Sequence, residues 1–490
     1  MCSLLITTIS LLLLSNSTIK EANKYLVPRG PDAVNEVIVE GVTFVHHLLS
    51  MTGRWRLQPF VQDRVVALFN GEIYNYQSLL SNSTKTYLSD GEVLLDAYAE
   101  WGSRMFSRLD GEFAIVIFDF ERGVCVISTD TFGSKPLFMS VEPKKGSDGP
   151  ILGFSSYAPP LQVLGHNHVK QIDANTVLEY SLEDGRLLKK HIVTRFNLRQ
   201  FKTSTSHWLE AFREAVAKRV RGAQHPVFIG LSSGYDSGAI NLALEEANHH
   251  HLAYTVRARE SLEIVQQRYN FTKRTSTPEL IMMTTSQMRS EVDYLQQHIP
   301  PYRYRGGRGQ LVVNDGAAPA LSYVCRRAAT RGARIHLSGT GADEIISDYG
   351  FQGKKIFPHS SFGGLFPEDL ETVFPWRSFF GGTMKDYLAK EEVVVGSHGM
   401  ESRYPFLDKQ VVQEYLWLTA KVKNSIYKRP IDDYFKLLGY PYENGKQGFG
   451  GKANLIEDEE KEVGKKHVEG SGEKIRDSTR QVVRARTHHK

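Results

Sequence analysis

The chain holds 490 residues, 41% hydrophobic and 23% charged, and its 60 Lys+Arg against 55 Asp+Glu leave a formal net charge of +5. At roughly 100–200 residues per domain this implies two or three domains with ample core material, and it excludes collagen-like, disordered and disulfide-scaffold classes. So small a basic excess does not make the concentrated basic face of a nucleic-acid binder.

The three cysteines, Cys2, Cys125 and Cys325, are odd in number, form no CxxC and match no zinc spacing. That pattern points to a reducing compartment and therefore to the cytoplasm. Residues 1–14 are apolar, yet no Lys or Arg precedes Lys20 and no small-x-small cleavage site follows. They read as a buried strand running into a short apolar segment, not as a signal peptide or a membrane span. If Met1 is removed, Cys2 carries a thiol beside an α-amine of pKa ~7.7–8.0, so one residue supplies both nucleophile and base. Cys125, in an alternating apolar run, and Cys325, in a helix-like run, read as small buried hydrophobes.

Short polar motifs alternate with strands from residue 26 to 160. Arg29-Gly30-Pro31-Asp32 comes first, then His46-His47-Leu48-Leu49-Ser50. An apolar strand over residues 65–69 runs into Asn70-Gly71-Glu72. Ser89-Asp90-Gly91-Glu92 opens an amphipathic helix through Trp101, and a further strand is predicted over residues 115–118. Residues 196–206 form a polar connector. Beyond it, residues 226–231 read as a buried strand that opens into Ser232-Ser233-Gly234-Tyr235-Asp236-Ser237, followed by a helix with Ile240, Ala243, Leu244 and Ala247 on one face. Strand, small-residue loop and helix together present backbone N–H groups and a helix N-terminus to phosphate, although no GxxxxGK[ST] occurs. His249-His250-His251 read as the end of that helix and, pointing in divergent directions, not as a metal site. Tyr254-Thr255-Val256 falls on the next strand. The run from Tyr302 to Gly309 reads as a loop near a phosphate or acceptor site. Residues 335–344 repeat the strand-and-turn plan in Ser338-Gly339-Thr340-Gly341-Ala342-Asp343-Glu344, and residues 451–490 read as a charged, flexible tail.

As a set, the motifs from Cys2 onward resemble the N-terminal-nucleophile (class II) glutamine amidotransferase domain of the asparagine synthetase family. Residues 232–237 and 338–344 resemble the family's ATP-pyrophosphatase-type synthetase domain. The resemblance implies an α+β Ntn-hydrolase sandwich of two antiparallel sheets over residues 2–195, a linker over 196–206, an α/β domain with a parallel sheet over 207–450, and the tail over 451–490. It implies Cys2 as nucleophile, Asn70 and Gly71 as oxyanion hole, and Leu48, Leu49, Glu72 and Asp90 around glutamine. ATP falls to Leu231, Ser232, Gly234, Asp236, Ser237, Val256, Ser338 and Gly339, Mg²⁺ to Asp236 and Asp343, and transition-state charge to the catalytic lysine position, Lys428. The implied reaction hydrolyses glutamine and uses ATP to amidate a small carboxylate, by default L-aspartate, giving amide, AMP and pyrophosphate. It needs no nucleic acid or membrane, and it is compatible with a homodimer.

Three positions depart from the family pattern. Leu48 stands where the family keeps an arginine for the glutamine carboxylate; leucine cannot replace that fork, so either His47, Arg54 or Arg56 compensates or glutamine binds weakly. Ser233 replaces a glycine. Thr340 replaces a glutamate associated with proton transfer during amidation, and a threonine cannot be that base, which leaves either Glu344 in its place or an incoming amine that needs no protein base. Two alternatives stay open: a β-lactam synthetase-like enzyme that adenylates a different acceptor, and a catalytically silent regulatory homologue.

Overall fold

The computed structural model describes residues 2–80, 85–142, 149–258, 260–304 and 309–443. The predicted tail and part of the run from Tyr302 to Gly309 lie outside the described residues.

Two six-stranded antiparallel sheets build the first region. In one, Ser3–Thr7 lies between Val42–Leu48 and Ile151–Ser155. In the other, Val65–Ile73 lies between Phe60–Gln62 and Gly111–Asp119. The period of two along each strand decides which residues meet. Leu4 and Ile6 turn inward to Val66, Leu68, Val116, Phe118 and Cys125 in the core between the sheets. Leu5 and Val45 turn outward under the helices Asn16–Asn23 and Ala158–Val163. Phe69, Ile115 and Ile117 do the same under helix Val93–Trp101, which is entered through the turn Asp90–Glu92, where Glu92 accepts from the Ser89 N–H at 3.3 Å. The expected helix–sheet–sheet–helix sandwich is therefore present. Asn70 and Gly71 are not a turn: the strand continues through them, with Asn70 opposite Ala114 and Gly71 opposite Phe113.

Helix Ser206–Val220 opens the second region, burying Trp208, Phe212, Ala215 and Val216 at helical spacing. Its five-stranded sheet is parallel, in the order Ser276–Ile281, His251–Val256, Val227–Gly230, Ile335–Leu337, Glu401–Arg403. Val227 and Ile229 face one helical layer and Phe228 the other, so both faces are covered, as a parallel sheet requires. The strand order reverses between Val227–Gly230 and Ile335–Leu337. In open α/β sheets, ligands bind in the crevice beyond the carboxyl ends of the strands at such a reversal. One expectation is corrected here. The helix after the first loop spans Tyr235–Glu246, and His251 opens the next strand, buried, with Nε2 2.8 Å from Asn241 Oδ1. The histidine run therefore does not cap a helix.

Buried ion pairs join the two regions. Arg219 meets Glu112 at 2.7 Å and Asp408 at 3.0 Å. Lys135 meets Glu392 at 3.1 Å and donates to the Ser402 carbonyl at 2.6 Å. Taking ions out of water is costly unless each is paired and hydrogen-bonded, so these contacts fix one relative placement of the regions. No helix among the described residues is long and apolar enough to cross a membrane.

Candidate active sites

Cys2 precedes the central strand Ser3–Thr7, and its Sγ accepts from the Leu49 N–H at 3.4 Å. Desolvation pushes the thiol up to about 12, so it needs a base before it can attack anything. Leu48, Leu49, Gly71, Glu72 and Asp90 line the same small cavity as Cys2, about 40 Å³ in volume. Asn70 is not among its lining residues, but its side-chain amide is fully buried with neither polar atom partnered. Gly71 cannot carry a side chain: its φ is 134°, and a Cβ would fall 1.8 Å from the Glu112 carbonyl oxygen. Asp90 accepts from the Ile73 N–H at 2.9 Å, and burial raises its carboxyl above the ordinary range.

The candidates to compensate for Leu48 separate. His47 is turned to Asn23 Oδ1 at 2.9 Å, and burial lowers it to about 4, so it is neutral and no substitute cation. Arg56 is paired with Glu92 at 2.5 Å. Arg54 lines the cavity and has no ion pair among the described residues. The second region supplies groups that sequence reasoning did not place here. Glu401 lines the cavity, and Arg403 binds Glu72 at 2.7 Å and Glu401 at 2.6 Å. Arg29 donates to the Cys2 carbonyl at 2.9 Å and to Glu392 Oε2 at 2.6 Å, tying the segment that carries the thiol to the other region.

At the sheet reversal lies a cavity of about 360 Å³, lined by Leu231, Ser232, Gly234, Asp236, Ser237, Val256, Ser338, Gly339, Asp343 and Lys428. All ten residues expected there from sequence are present. The first loop is self-bonded: Ser237 Oγ accepts from the Ser232 N–H at 3.0 Å, and Arg268 takes the Ser232 and Gly234 carbonyls at 2.6 and 2.7 Å. Ser233, at the departed glycine, is buried and donates through Oγ to Glu260, which lines the same cavity, at 2.9 Å. Gly339 allows the second loop to close on the first, since a Cβ there would lie 2.9 Å from the Asp236 Cβ. Between the loops sits Lys428 Nζ, bonded to Asp236 and 2.8 Å from Asp343. Burial works against its charge, but the two carboxylates hold it protonated, well above the ordinary lysine value. Its backbone occupies the left-handed region at φ 50°, a strain of about 1–3 kcal/mol that clusters at functional sites. Asp236 and Asp343, two hard oxygen donors converging on one cation, fit Mg²⁺.

Thr340 donates through Oγ1 to Glu391 Oε1 at 2.8 Å. Glu344, the base nearest in sequence, has both oxygens engaged, one by the Gly341 N–H at 2.9 Å and one by the Tyr349 hydroxyl. Burial, with Asp343 adding to it, raises Glu344 to about 7.

Residues 1–217 match the family model described as "Glutamine amidotransferase domain", and residues 207–372 that described as "Asparagine synthase". The matches define a chain with an amidotransferase half followed by a synthase half. Relatives agree. A putative asparagine synthetase (glutamine-hydrolyzing) of Methanocaldococcus jannaschii is 25% identical over 420 residues, which is 80% of this chain and 72% of the relative. The asparagine synthetase (glutamine-hydrolyzing) of Gallus gallus is 25% identical over 449 residues, 83% of this chain and 75% of the relative. A probable asparagine synthetase of Schizosaccharomyces pombe is 24% identical over 457 residues, 86% of this chain and 77% of the relative. The chain thus pairs a glutamine amidotransferase domain with an asparagine synthase domain and is similar to asparagine synthetases over most of its length.

Proposed function

We propose that the protein is a glutamine-hydrolysing, ATP-dependent ligase that adenylates a carboxylate, by default L-aspartate, and amidates it. What supports the reading is the convergence of two phosphate-type loops and Lys428 on one cavity at the sheet reversal. In the first half, the α-amine of Cys2 takes the thiol proton, and the sulfur attacks the glutamine side-chain carbonyl. The oxyanion faces the Gly71 N–H and the unpartnered Asn70 amide, donors of the kind such charge demands. Collapse to a thioester releases ammonia, and water then frees glutamate. Asp90 and Glu72 receive the glutamine α-amine, and Arg54 its carboxylate.

In the second half, a carboxylate oxygen attacks the α-phosphorus of ATP, and pyrophosphate leaves toward Lys428. Mg²⁺ held by Asp236 and Asp343 would neutralise phosphate charge there. Ammonia then displaces AMP from the acyl-adenylate. The domain limits follow the same reading: 2–195 for hydrolysis of glutamine and 207–450 for ligation.

The test is pyrophosphate release with ATP across a panel of carboxylates, with glutamine or ammonium as nitrogen source. Release with aspartate and either source is expected. Release only with other acids rejects aspartate as acceptor, and no release with any acid rejects the ligase. Cys2→Ala is expected to abolish glutamine-dependent amide formation and to spare the ammonium-dependent reaction; loss of both contradicts two separate sites.

A further inference from the structure

Glu391 belongs to helix Thr383–Gly396, and its neighbour Glu392 is the carboxylate that binds Arg29 and Lys135 of the first region. Glu391 instead lines the nucleotide cavity. Ser338 Oγ and Thr340 Oγ1 both donate to its Oε1, at 2.9 and 2.8 Å. Its Oε2 is buried and has no hydrogen-bond partner. A buried carboxylate oxygen without a donor costs free energy unless something else uses it.

Four of the other carboxylates of this cavity, Asp236, Asp343, Glu344 and Asp315, are committed. Asp236 and Asp343 face Lys428. Glu344 has both oxygens bonded. Asp315 takes the Tyr304 hydroxyl at 2.5 Å, with Lys390 at 3.5 Å. Glu260 also keeps one oxygen unpartnered, but its other oxygen anchors Ser233, on the first loop. Glu391 is held by the second loop, at the residue where the family's glutamate is missing.

Resting on the ligase reading above, we infer that Glu391 is the base for amide formation in this chain, its carboxylate replacing the one that Thr340 lacks. The nitrogen lone pair attacks the acyl-adenylate carbonyl carbon and the C–N bond forms. The bond from that carbon to the phosphoryl oxygen breaks, and its electron pair leaves with AMP. The proton shed by the nitrogen passes to Glu391 Oε2. Thr340 and Ser338 become positioning residues: by occupying Oε1 they fix which oxygen faces the cavity. Burial lifts the carboxyl above its ordinary value against the bond from Ser338 and the charge of Lys390, the direction that suits a base working near neutrality.

The experiment uses the full chain with ammonium as nitrogen source, so that Cys2 plays no part. ATP–pyrophosphate exchange reads adenylation, and amide yield reads the second step. Glu391→Gln is expected to keep exchange within a few-fold of wild type while amide formation falls about 100-fold or more, the usual size of a lost general base. Adding Thr340→Glu to that variant is expected to recover amide formation at least tenfold. Exchange and amide falling in parallel, amide formation surviving, or no recovery in the folded double variant each overturn the assignment. If Glu391→Gln does not fold, Glu391→Asp decides: amide formation alone slowed tenfold supports the base, and equal slowing of both steps overturns it. Wild-type protein that gives no exchange with any carboxylate fails the ligase reading first, and the role of Glu391 falls with it.

Discussion

The cavity beside Cys2 and the cavity between the two loops follow opposite plans. The first, about 40 Å³, is little larger than the share of one water in the liquid, about 30 Å³. The second, about 360 Å³, is already in the size range of ligand pockets, about 300–1,000 Å³. Charge follows the same division. Beside Cys2, one guanidinium, Arg403, answers two carboxylates, Glu72 and Glu401, across the boundary between regions. Between the loops, one ammonium, Lys428, answers two carboxylates that come from the two loops. The proposed nucleotide site is thus preformed within one region, whereas the proposed glutamine site is completed by residues of the other.

The sharpest way to break the comparison is to remove the ammonium. Lys428→Met leaves Asp236 and Asp343 facing each other without a cation. Pyrophosphate release is expected to fall at least 1,000-fold with glutamine and with ammonium alike, since both nitrogen sources share this site. Breaking a buried pair costs about 3 kcal/mol, so the urea midpoint falls as well. Turnover that survives shows that the cavity does not depend on Lys428.

A smaller effect, confined to the other site, is expected from Gly71→Ala. The new Cβ meets the Glu112 carbonyl oxygen at 1.8 Å, with φ at 134°, so the strand shifts just where an oxyanion donor is required. Glutamine-dependent amide formation is expected to fall about 100-fold, with the ammonium-dependent rate held within a few-fold. Equal losses from both sources show that the two sites are not separable.

The cavity proposed for the nucleotide was legible in the sequence because most of its expected residues lie in two short runs, each at the end of an apolar strand, and the parallel sheet places those ends together. Lys428 was legible only through the family resemblance. The proposed glutamine site was legible in part: Cys2, Gly71, Glu72 and Asp90 share the cavity, but its closure by Glu401 and Arg403 depends on packing between regions, which no local pattern encodes. Glu391 was not legible. It sits in the run Ala389-Lys390-Glu391-Glu392 of a helix, where charged residues normally face solvent, and only the buried faces of the fold turn Glu391 and Glu392 toward different sites. The histidine run misled for a related reason: three polar residues suggest a helix end, whereas Asn241 gives His251 a partner that lets it enter the sheet.

The histidines give the mildest test of the contrast between regions. Burial lowers His46 in the first region from 6.5 to about 3 and His251 in the second from 6.5 to about 4. An unfolded imidazole binds a proton below about pH 6.5, but the folded one refuses it until pH 3 or 4. The unfolded state therefore binds more protons across that window, so this stability is complete above pH 6.5 and drains as the pH falls through it. Each such group costs about 1.5 kcal/mol between pH 6.5 and 5. The two differ in what their removal leaves behind. Both ring nitrogens of His46 are buried and unpartnered, so His46→Leu is expected to flatten the acid limb by that amount with no loss at pH 7. His251 is bonded to Asn241 Oδ1 at 2.8 Å, so His251→Leu flattens the limb equally but also lowers stability at pH 7 by about 1–3 kcal/mol, because the buried amide loses its partner. Urea midpoints at pH 7 and pH 5 separate the two cases. An acid limb unchanged in His46→Leu shows that this imidazole is already protonated in the folded protein, which the apolar packing around the strand Val42–Leu48 argues against.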